Sequence, residues 1–379
     1  MSVRVAIACS GVGHVRRGYE SITRTVWEHV RGHVDVTLFK GFGPDGQDER
    51  TVRCLRRTSL LGRAVGFFSY PQSYKLEGMT FARSLFGHLR DGAFDVVFAP
   101  GYGPASALCR FRDRLPPDRR FAVALHNSAP YRVKKLTLHP FDLIQQVTGP
   151  AQDDALAAGL GNTRLVPLPV DLERFGPGSP PPALRAELDV DDDVPIVLCV
   201  AAHMPVKRID VLVEAVASLR DPPTPPPVLL IAGQEGEQTR FLRDLARDRL
   251  GSRVRFRSYA WEQMPDVYRL ADVFALPSRR EGFGMALLEA MATGLPVVTQ
   301  DDAVRSWIVD DAGLLVECGT PGALSEALAR VITNADERRL LAEAGRERVR
   351  THFSWEVLLP KYLDFFEEAA ATVLSHPRS

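Results

Sequence analysis

Ala271-Asp-Val-Phe-Ala-Leu-Pro277-Ser-Arg-Arg-Glu281-Gly-Phe-Gly284-Met-Ala-Leu-Leu-Glu289-Ala-Met-Ala-Thr-Gly294-Leu-Pro-Val-Val298 is the stretch whose reading decides the fold. The apolar run Val273–Leu276 reads as a buried strand that stops at Pro277-Ser278. A tight glycine loop, Glu281–Gly284, then feeds a helix over Met285–Thr293, and Val297–Thr299 reads as the next strand. Glycines let a ligand come close to the backbone. A helix N-terminus offers N–H groups and the positive end of a dipole, both suited to phosphate. Glu281 before the helix and Glu289 inside it are placed to accept hydrogen bonds from sugar or ribose hydroxyls. The plain alternative is an ordinary strand–loop–helix with solvated acids; Gly282 and Gly284 bracketing apolar Phe283 argue against it.

Outward from this segment the same alternation repeats. Short apolar runs at Val3–Cys9, Val34–Phe39, Asp95–Ala99, Phe121–Leu125, Leu143–Gln146 and Arg164–Val166 read as one series of buried strands. A second series runs through Ile196–Ala202, Val228–Ala232, Val254–Phe256, Val273–Leu276, Val297–Thr299 and Gly313–Val316. Helical patterns, such as Arg208–Leu219, lie between them. Strands that alternate with helices imply parallel sheets with right-handed crossovers, so the class is α/β with two doubly wound domains. Between the two series Pro169–Pro182 carries five Pro and two Gly, which excludes a central strand or a helix interior. The expected organisation is an N-terminal domain over 1–170, a linker over 171–190, a C-terminal domain over 191–353 and a last long helix over 354–379. Ser354 is placed to cap that helix, with Trp355, Leu358, Leu359, Tyr362, Phe365 and Phe366 in apolar positions.

Length and composition fit this organisation. The 379 residues suggest two domains or three, and 45% hydrophobic with 25% charged residues is ordinary globular usage. The formal net charge is zero, which argues against a general nucleic-acid binder. Yet residues 1–150 hold 22 Lys and Arg against 12 Asp and Glu, leaving 25 against 35 in the rest. A basic first half points to an anionic partner on that side, a small molecule or a membrane surface. The five cysteines are scattered with none at C-x-x-C spacing, so neither a disulfide framework nor a cysteine zinc site is expected. No apolar stretch approaches the roughly 18 residues that span a bilayer. Val5–Cys9 is too short for the core of a secretion signal, so a cytoplasmic location is expected.

The opening segment resembles the E-x7-E signature of the retaining, GT-B-fold glycosyltransferases of family 4, the glycosyl transferases group 1. The strand and Pro-Ser before Glu281, the Glu-Ala-Met-Ala run at 289–292 and the Gly-x-Pro-Val-Val run at 294–298 are similar too. The resemblance covers the whole second half. It implies a GT-B fold, two Rossmann-like domains facing a cleft with the last helix crossing back to the first. It implies that Glu289 meets the ribose of a nucleotide-sugar donor, and that Glu281 with the backbone of Phe283 and Gly284 faces the donor sugar. The N–H groups of Met285 and Ala286 would meet the diphosphate.

Pro205-Val-Lys207-Arg208-Ile-Asp210 follows a strand and opens a helix, a sensible place for cations facing an anionic ligand. It resembles the family's basic motif, with Lys207 on the Lys that pairs with the diphosphate. The Arg that often stands five residues earlier is Ala202 here, and Arg208 is the candidate substitute. Ser10-Gly11-Val-Gly13-His14-Val-Arg16-Arg17-Gly18 follows the first strand. A dinucleotide loop is excluded, because the third glycine would fall at Arg16 and no acid ends the second strand. The loop instead resembles the family's first glycine-rich loop, with Gly11 and Gly13 near the phosphates and His14, Arg16 and Arg17 toward acceptor or diphosphate. In related inverting enzymes a His in such a loop is the general base, a second role open to His14. His126 ends a strand, at the edge where ligands bind in α/β sheets, and the family places a His there against the donor sugar. Gly233 lies in a turn resembling one beside the donor, and Tyr259 at a strand end whose backbone reads the base. Arg56, Arg57, Arg63, Phe67, Phe68, Tyr70 and Tyr74 mix basic and aromatic types, which suits an anionic or sugar acceptor, a membrane surface or a core-packed helix with a solvated basic face; the resemblance, in which the first domain takes the acceptor, implies acceptor contact, with Tyr70 as the candidate.

The expectation is therefore a glycosyltransferase that moves a sugar from a nucleotide-sugar, UDP-sugar first, to an acceptor hydroxyl of a natural product, glycan or lipid-linked sugar. Glu281, His126 and Lys207 are the expected catalytic residues. No metal and no cofactor are expected, since Lys207 and a helix terminus can serve the diphosphate. An anionic acceptor and peripheral membrane contact are expected on the basic N-terminal side, and no nucleic acid. The alternatives are an inverting transferase, a nucleotide-sugar epimerase and a non-catalytic sugar-nucleotide binder.

Overall fold

The computed structural model describes residues 3–15, 18–62, 64, 70–90, 94–127, 133–219 and 225–374. The chain divides into two compact units, Met1–Leu168 with Leu358–Ser379, and Pro169–Val357.

In the first unit the strands among the described residues are β1 (Arg4–Cys9), β2 (Asp35–Lys40), β3 (Glu49–Thr51), β4 (Val96–Pro100), β5 (Ala122–Asn127), β6 (Leu143–Gln146) and β7 (Thr163–Leu165). All run parallel in the order β3-β2-β1-β4-β5-β6-β7. Every residue of β4 and β5 is buried. That is why they read as unbroken apolar runs: helices cover both faces of a parallel sheet. The strand β3 has no counterpart in the expected series. It is a polar Glu-Arg-Thr triplet at the sheet edge, with no apolar run to announce it. Its Glu49 pairs with buried Lys40 of β2 and with Arg24, so an ion pair rather than a core residue fixes it.

In the second unit the strands are β8 (Ile196–Val200), β9 (Val228–Ala232), β10 (Val254–Arg257), β11 (Val273–Leu276), β12 (Val297–Gln300) and β13 (Leu314–Val316), parallel in the order β10-β9-β8-β11-β12-β13. The two sheets thus share one plan. Each reverses direction of growth at a single point, between β1 and β4 in one and between β8 and β11 in the other. Ligands bind open α/β sheets at the carboxyl edge, at this switch point.

The helix Met285–Thr293 forms over the expected residues and is bracketed by Gly284 (φ 98°) and Gly294 (φ 81°). The helix after β8 is shorter than expected, Ile209–Ala217. Arg208 takes a left-handed conformation (φ 51°) and ends the short turn Pro205–Lys207 before it. The proline-rich stretch is fixed to the second unit. Phe175 is buried, Arg269 donates to the carbonyls of Gly176 (2.9 Å) and Arg174 (3.0 Å), and Arg174 stacks over Trp261 at 4.9 Å. A short helix, Pro182–Glu187, starts on a proline, which a first helical turn tolerates.

The last helix spans Trp355–Leu374, and Ser354 Oγ accepts from the Val357 N–H at 3.3 Å. From Leu358 onward it belongs to the first unit. Leu358, Tyr362, Phe365, Phe366 and Ala369 are buried there, with Phe98 of β4 edge-on to Phe365 and Phe366. Among the described residues no helix is long and apolar enough to cross a membrane.

Candidate functional site

The switch point of the second unit brings the loop after β8 against the loop after β11. The Arg279 N–H donates to the Val206 carbonyl at 2.8 Å, which ties the two loops together. Across this tie Lys207 Nζ donates to Glu281 Oε1 at 2.6 Å, with the lysine side chain 23% exposed and the glutamate 10%. The pair is therefore reachable from solvent. Three residues on, Gly284 turns the chain into the helix Met285–Thr293, whose first intrahelical donor is the Leu287 N–H to the Gly284 carbonyl. The N–H groups of Met285 and Ala286 open that helix at its positive end. A cation, a carboxylate and a helix N-terminus meet here, which suits a ligand carrying both phosphate and hydroxyls.

Glu289 lies one further turn along and is buried. Tyr268, itself fully buried on the helix Met264–Arg269, donates its hydroxyl to Glu289 Oε2 at 2.6 Å. Burial pushes the Glu289 carboxyl up to about 7, against the pull of the Tyr268 hydroxyl and the Arg174 charge. Phe283 is buried against Phe353, so its ring anchors the glycine loop while its backbone stays in the loop. Gly233, after β9, leaves no room for a side chain: a Cβ would run into the Ala201 carbonyl. Ser258 Oγ donates to the Gly233 carbonyl at 2.7 Å, next to Tyr259. Arg208, next to Lys207, lines a groove with Asp210, Glu214 and Thr320.

The switch point of the first unit holds the loop after β1. Gly13 (φ 97°) presses on the Phe42 carbonyl, and a side chain on Gly11 would meet Glu20 and Arg57. Close packing within the unit already requires both glycines. His14 points inward: its side chain is 4% exposed and Nε2 lies 3.1 Å from Glu77 Oε2. Glu77, on the helix Tyr70–Leu89, is fully buried and also accepts from Ser10 Oγ (2.9 Å) and the Arg57 N–H (2.7 Å). Burial alone would push its carboxyl up. The hydrogen bonds from His14 and the Arg57 N–H, with the Arg57 charge and Ser10, outweigh that and hold it below the usual range. Arg57 is itself buried, paired with Glu20 and set over the Tyr74 ring at 4.9 Å. It is part of the loop's support, not an open cation. Arg16 and Arg17 lie outside the described residues, as do Arg63, Phe67, Phe68 and the side chain of Tyr70.

His126, near the end of β5, is buried with Nδ1 2.7 Å from Gln145 Oε1. Gln145 Nε2 donates in turn to the Val166 carbonyl (2.7 Å) and to Tyr362 Oη (3.0 Å). With both amide hydrogens engaged, the Gln145 oxygen faces a donor, which puts the His126 proton on Nδ1. Burial drops the imidazole to about 4, so it is neutral near pH 7. Each predicted set thus collects at the carboxyl edge of its own sheet: Gly11, Gly13, His14 and His126 in the first unit, and Lys207, Gly233, Tyr259, Glu281, Phe283, Gly284, Met285, Ala286 and Glu289 in the second.

Comparison with known proteins bears on this arrangement. A family model described as glycosyl transferases group 1 matches residues 182–348. A D-inositol 3-phosphate glycosyltransferase of Xylanimonas cellulosilytica is 30% identical over 318 residues, 74% of this chain and 74% of that protein. The chain belongs to the group 1 glycosyl transferases. Other members align over less of their length. A D-inositol 3-phosphate glycosyltransferase of Saccharomonospora viridis is 39% identical over 213 residues, 53% of this chain and 49% of that protein. A GDP-mannose-dependent alpha-(1-6)-phosphatidylinositol monomannoside mannosyltransferase of Mycobacterium tuberculosis is 32% identical over 214 residues, 53% and 54%. The chain spans about half the length of these two curated relatives. Among solved structures, sucrose-phosphate synthase from Thermosynechococcus elongatus matches with a TM-score of 0.79 at 23% identity, over 97% of this chain and 99% of that one. Anabaena HepE, solved with UDP and glucose, matches at 0.74 and 15% identity, over 96% and 99%. These likenesses show the GT-B fold of the family, two Rossmann-like domains with parallel sheets.

Two residues of the sites have no place in the sequence reading. Tyr268 holds Glu289 from 21 positions away, and nothing local marks it. Glu77 did leave a signal: Ser73, Glu77, Phe81, Leu85 and Leu89 are all buried at four-residue spacing. It is the one acid in an otherwise mostly apolar helix stripe.

Proposed function

We propose that this protein is a retaining glycosyltransferase that moves a sugar from a nucleotide-sugar, a UDP-sugar first, to an acceptor hydroxyl. The observation that carries the proposal is the Lys207–Glu281 pair at the switch point, beside the N-terminus of the helix Met285–Thr293. As the glycosidic bond breaks, negative charge grows on the departing diphosphate. Lys207 and the Met285 and Ala286 N–H groups stabilise it there, where a preorganised charge needs no rearrangement. Glu281 accepts hydroxyls of the sugar, and Glu289 spends its remaining lone pairs on the ribose. His126, neutral and held by Gln145, meets the donor sugar in this reading. The protein's work is positioning and charge stabilisation, without metal or cofactor. Arg208 and Tyr259 complete the donor side in this reading.

The acceptor belongs to the first unit. Its sequence is the basic half of the chain, and the relatives named above act on a phosphorylated inositol or a phosphatidylinositol mannoside, so a phosphorylated acceptor is the class proposed. Contact with an anionic membrane surface through the same half is part of the reading. One observation favours a second reading, inversion with His14 as base: the ring is already paired with the buried Glu77 carboxylate. A thermal-shift series with UDP, GDP, ADP and dTDP tests the donor side. One nucleotide at a hundred times its Kd adds roughly 2.7 kcal/mol of stability. A shift with none of the four refutes the proposal.

A further inference from the structure

The pair formed by His14 and Glu77 is more than support for a loop. Three groups converge on one carboxylate with no solvent exposure: Ser10 Oγ and His14 Nε2 from the loop after β1, and the Arg57 N–H from the segment behind it. An anionic carboxylate only accepts hydrogen bonds. In the neutral ring the single His14 proton, facing that carboxylate, therefore sits on Nε2. That leaves Nδ1, which is buried and has no hydrogen-bond partner among the described residues. An unsatisfied buried polar atom is expensive to keep, and native proteins keep few of them without a reason. Ser10 and His14 flank glycines that are locked by packing against Phe42, Glu20 and Arg57. The ring is thus held from both sides with one nitrogen committed and one unspent.

We propose that Glu77 is a positioning residue for His14: by taking the Nε2 proton it fixes the tautomer and presents Nδ1 as the hydrogen-bond acceptor for the hydroxyl of the acceptor substrate. This rests on the proposed glycosyl transfer for its substrate. It goes beyond that reading by naming which nitrogen meets the hydroxyl and which residue decides it.

The test combines nitrogen NMR with a double-mutant cycle on the full chain. In 15N-histidine protein the His14 signals report an Nε2-protonated tautomer, and Glu77→Gln shifts them toward a mixture. In kinetics Glu77→Gln lowers kcat/KM for the acceptor by about tenfold and leaves the donor KM unchanged. Added to His14→Ala it lowers kcat/KM no further, because its effect runs through the ring. Glu77→Asp, which keeps the charge, retains the tautomer and stands in should the glutamine variant not fold. An Nδ1-protonated tautomer in the wild type overturns the proposal, as does an equal loss from Glu77→Gln with and without His14. The NMR needs no substrate, so it fails or succeeds independently of whether the protein transfers sugar.

Discussion

Glu289→Gln separates what the buried carboxyl does for stability from what it does for the donor. In the folded chain the group titrates at about 7, against 4.5 as its ordinary value. At 1.36 kcal/mol for each pK unit that difference is about 3.4 kcal/mol. The sign follows from proton binding: the folded chain holds the proton more tightly than the unfolded one. Stability from this group is therefore fully present below pH 4.5, falls as pH rises toward 7 and levels off above it. Between pH 5 and pH 8 the wild type loses about 2.5 kcal/mol through Glu289. Glutamine is neutral throughout, and its amide oxygen can still accept the Tyr268 hydroxyl. The stability gap between variant and wild type should then widen by about 2.5 kcal/mol over that range, measured by urea unfolding at pH 5, 6, 7 and 8. Donor binding should move the other way. Losing a charged acceptor for a ribose hydroxyl weakens it by about tenfold to a hundredfold, so the variant is the more stable protein and the poorer binder. Wild-type and variant stability curves that stay parallel from pH 5 to pH 8 would refute the reasoning.

Lys207→Ala should cut kcat/KM for the donor by a hundredfold or more, the usual scale for removing one charge-stabilising group. It should change the urea midpoint little, since a part-exposed ion pair contributes about 1 kcal/mol or less. Gly13→Ala forces a side chain against the Phe42 carbonyl at a φ of 97°, and should destabilise the first unit by about 3 kcal/mol in urea unfolding. Tyr362→Phe removes the hydroxyl that accepts from Gln145 and should lower stability by about 1 kcal/mol. A loss of His126 orientation, read as a shift of its 15N signals, should accompany it.

The fold was legible because parallel strands buried on both faces leave unbroken apolar runs, as β4, β5 and β8 do. The strand β3 escaped because an edge strand of charged residues carries no such run. Lys207, Glu281 and Gly284 were readable because each stands in a short motif beside a strand end. Their meeting was not: the tie from Arg279 to Val206 joins loops some seventy residues apart. Arg57 misled, because a basic residue among aromatics looks open to an anion when its partners Glu20 and Glu77 are distant in sequence. The tautomers of His14 and His126 depend on Glu77 and Gln145, and pairing of that kind is a property of the folded chain alone.

The measurement that tests the central claim most directly is the product itself. The protein is incubated with a UDP-sugar of α configuration and a phosphorylated polyol acceptor, nucleotide release is followed, and the anomeric proton of the product is read by NMR. The account predicts release of UDP coupled to a new glycoside with the α coupling of the donor, slowed about a hundredfold or more in Lys207→Ala. A β glycoside would contradict retention and move His14 to the role of base. Tight nucleotide binding with no glycoside formed across donors and acceptors would contradict glycosyl transfer.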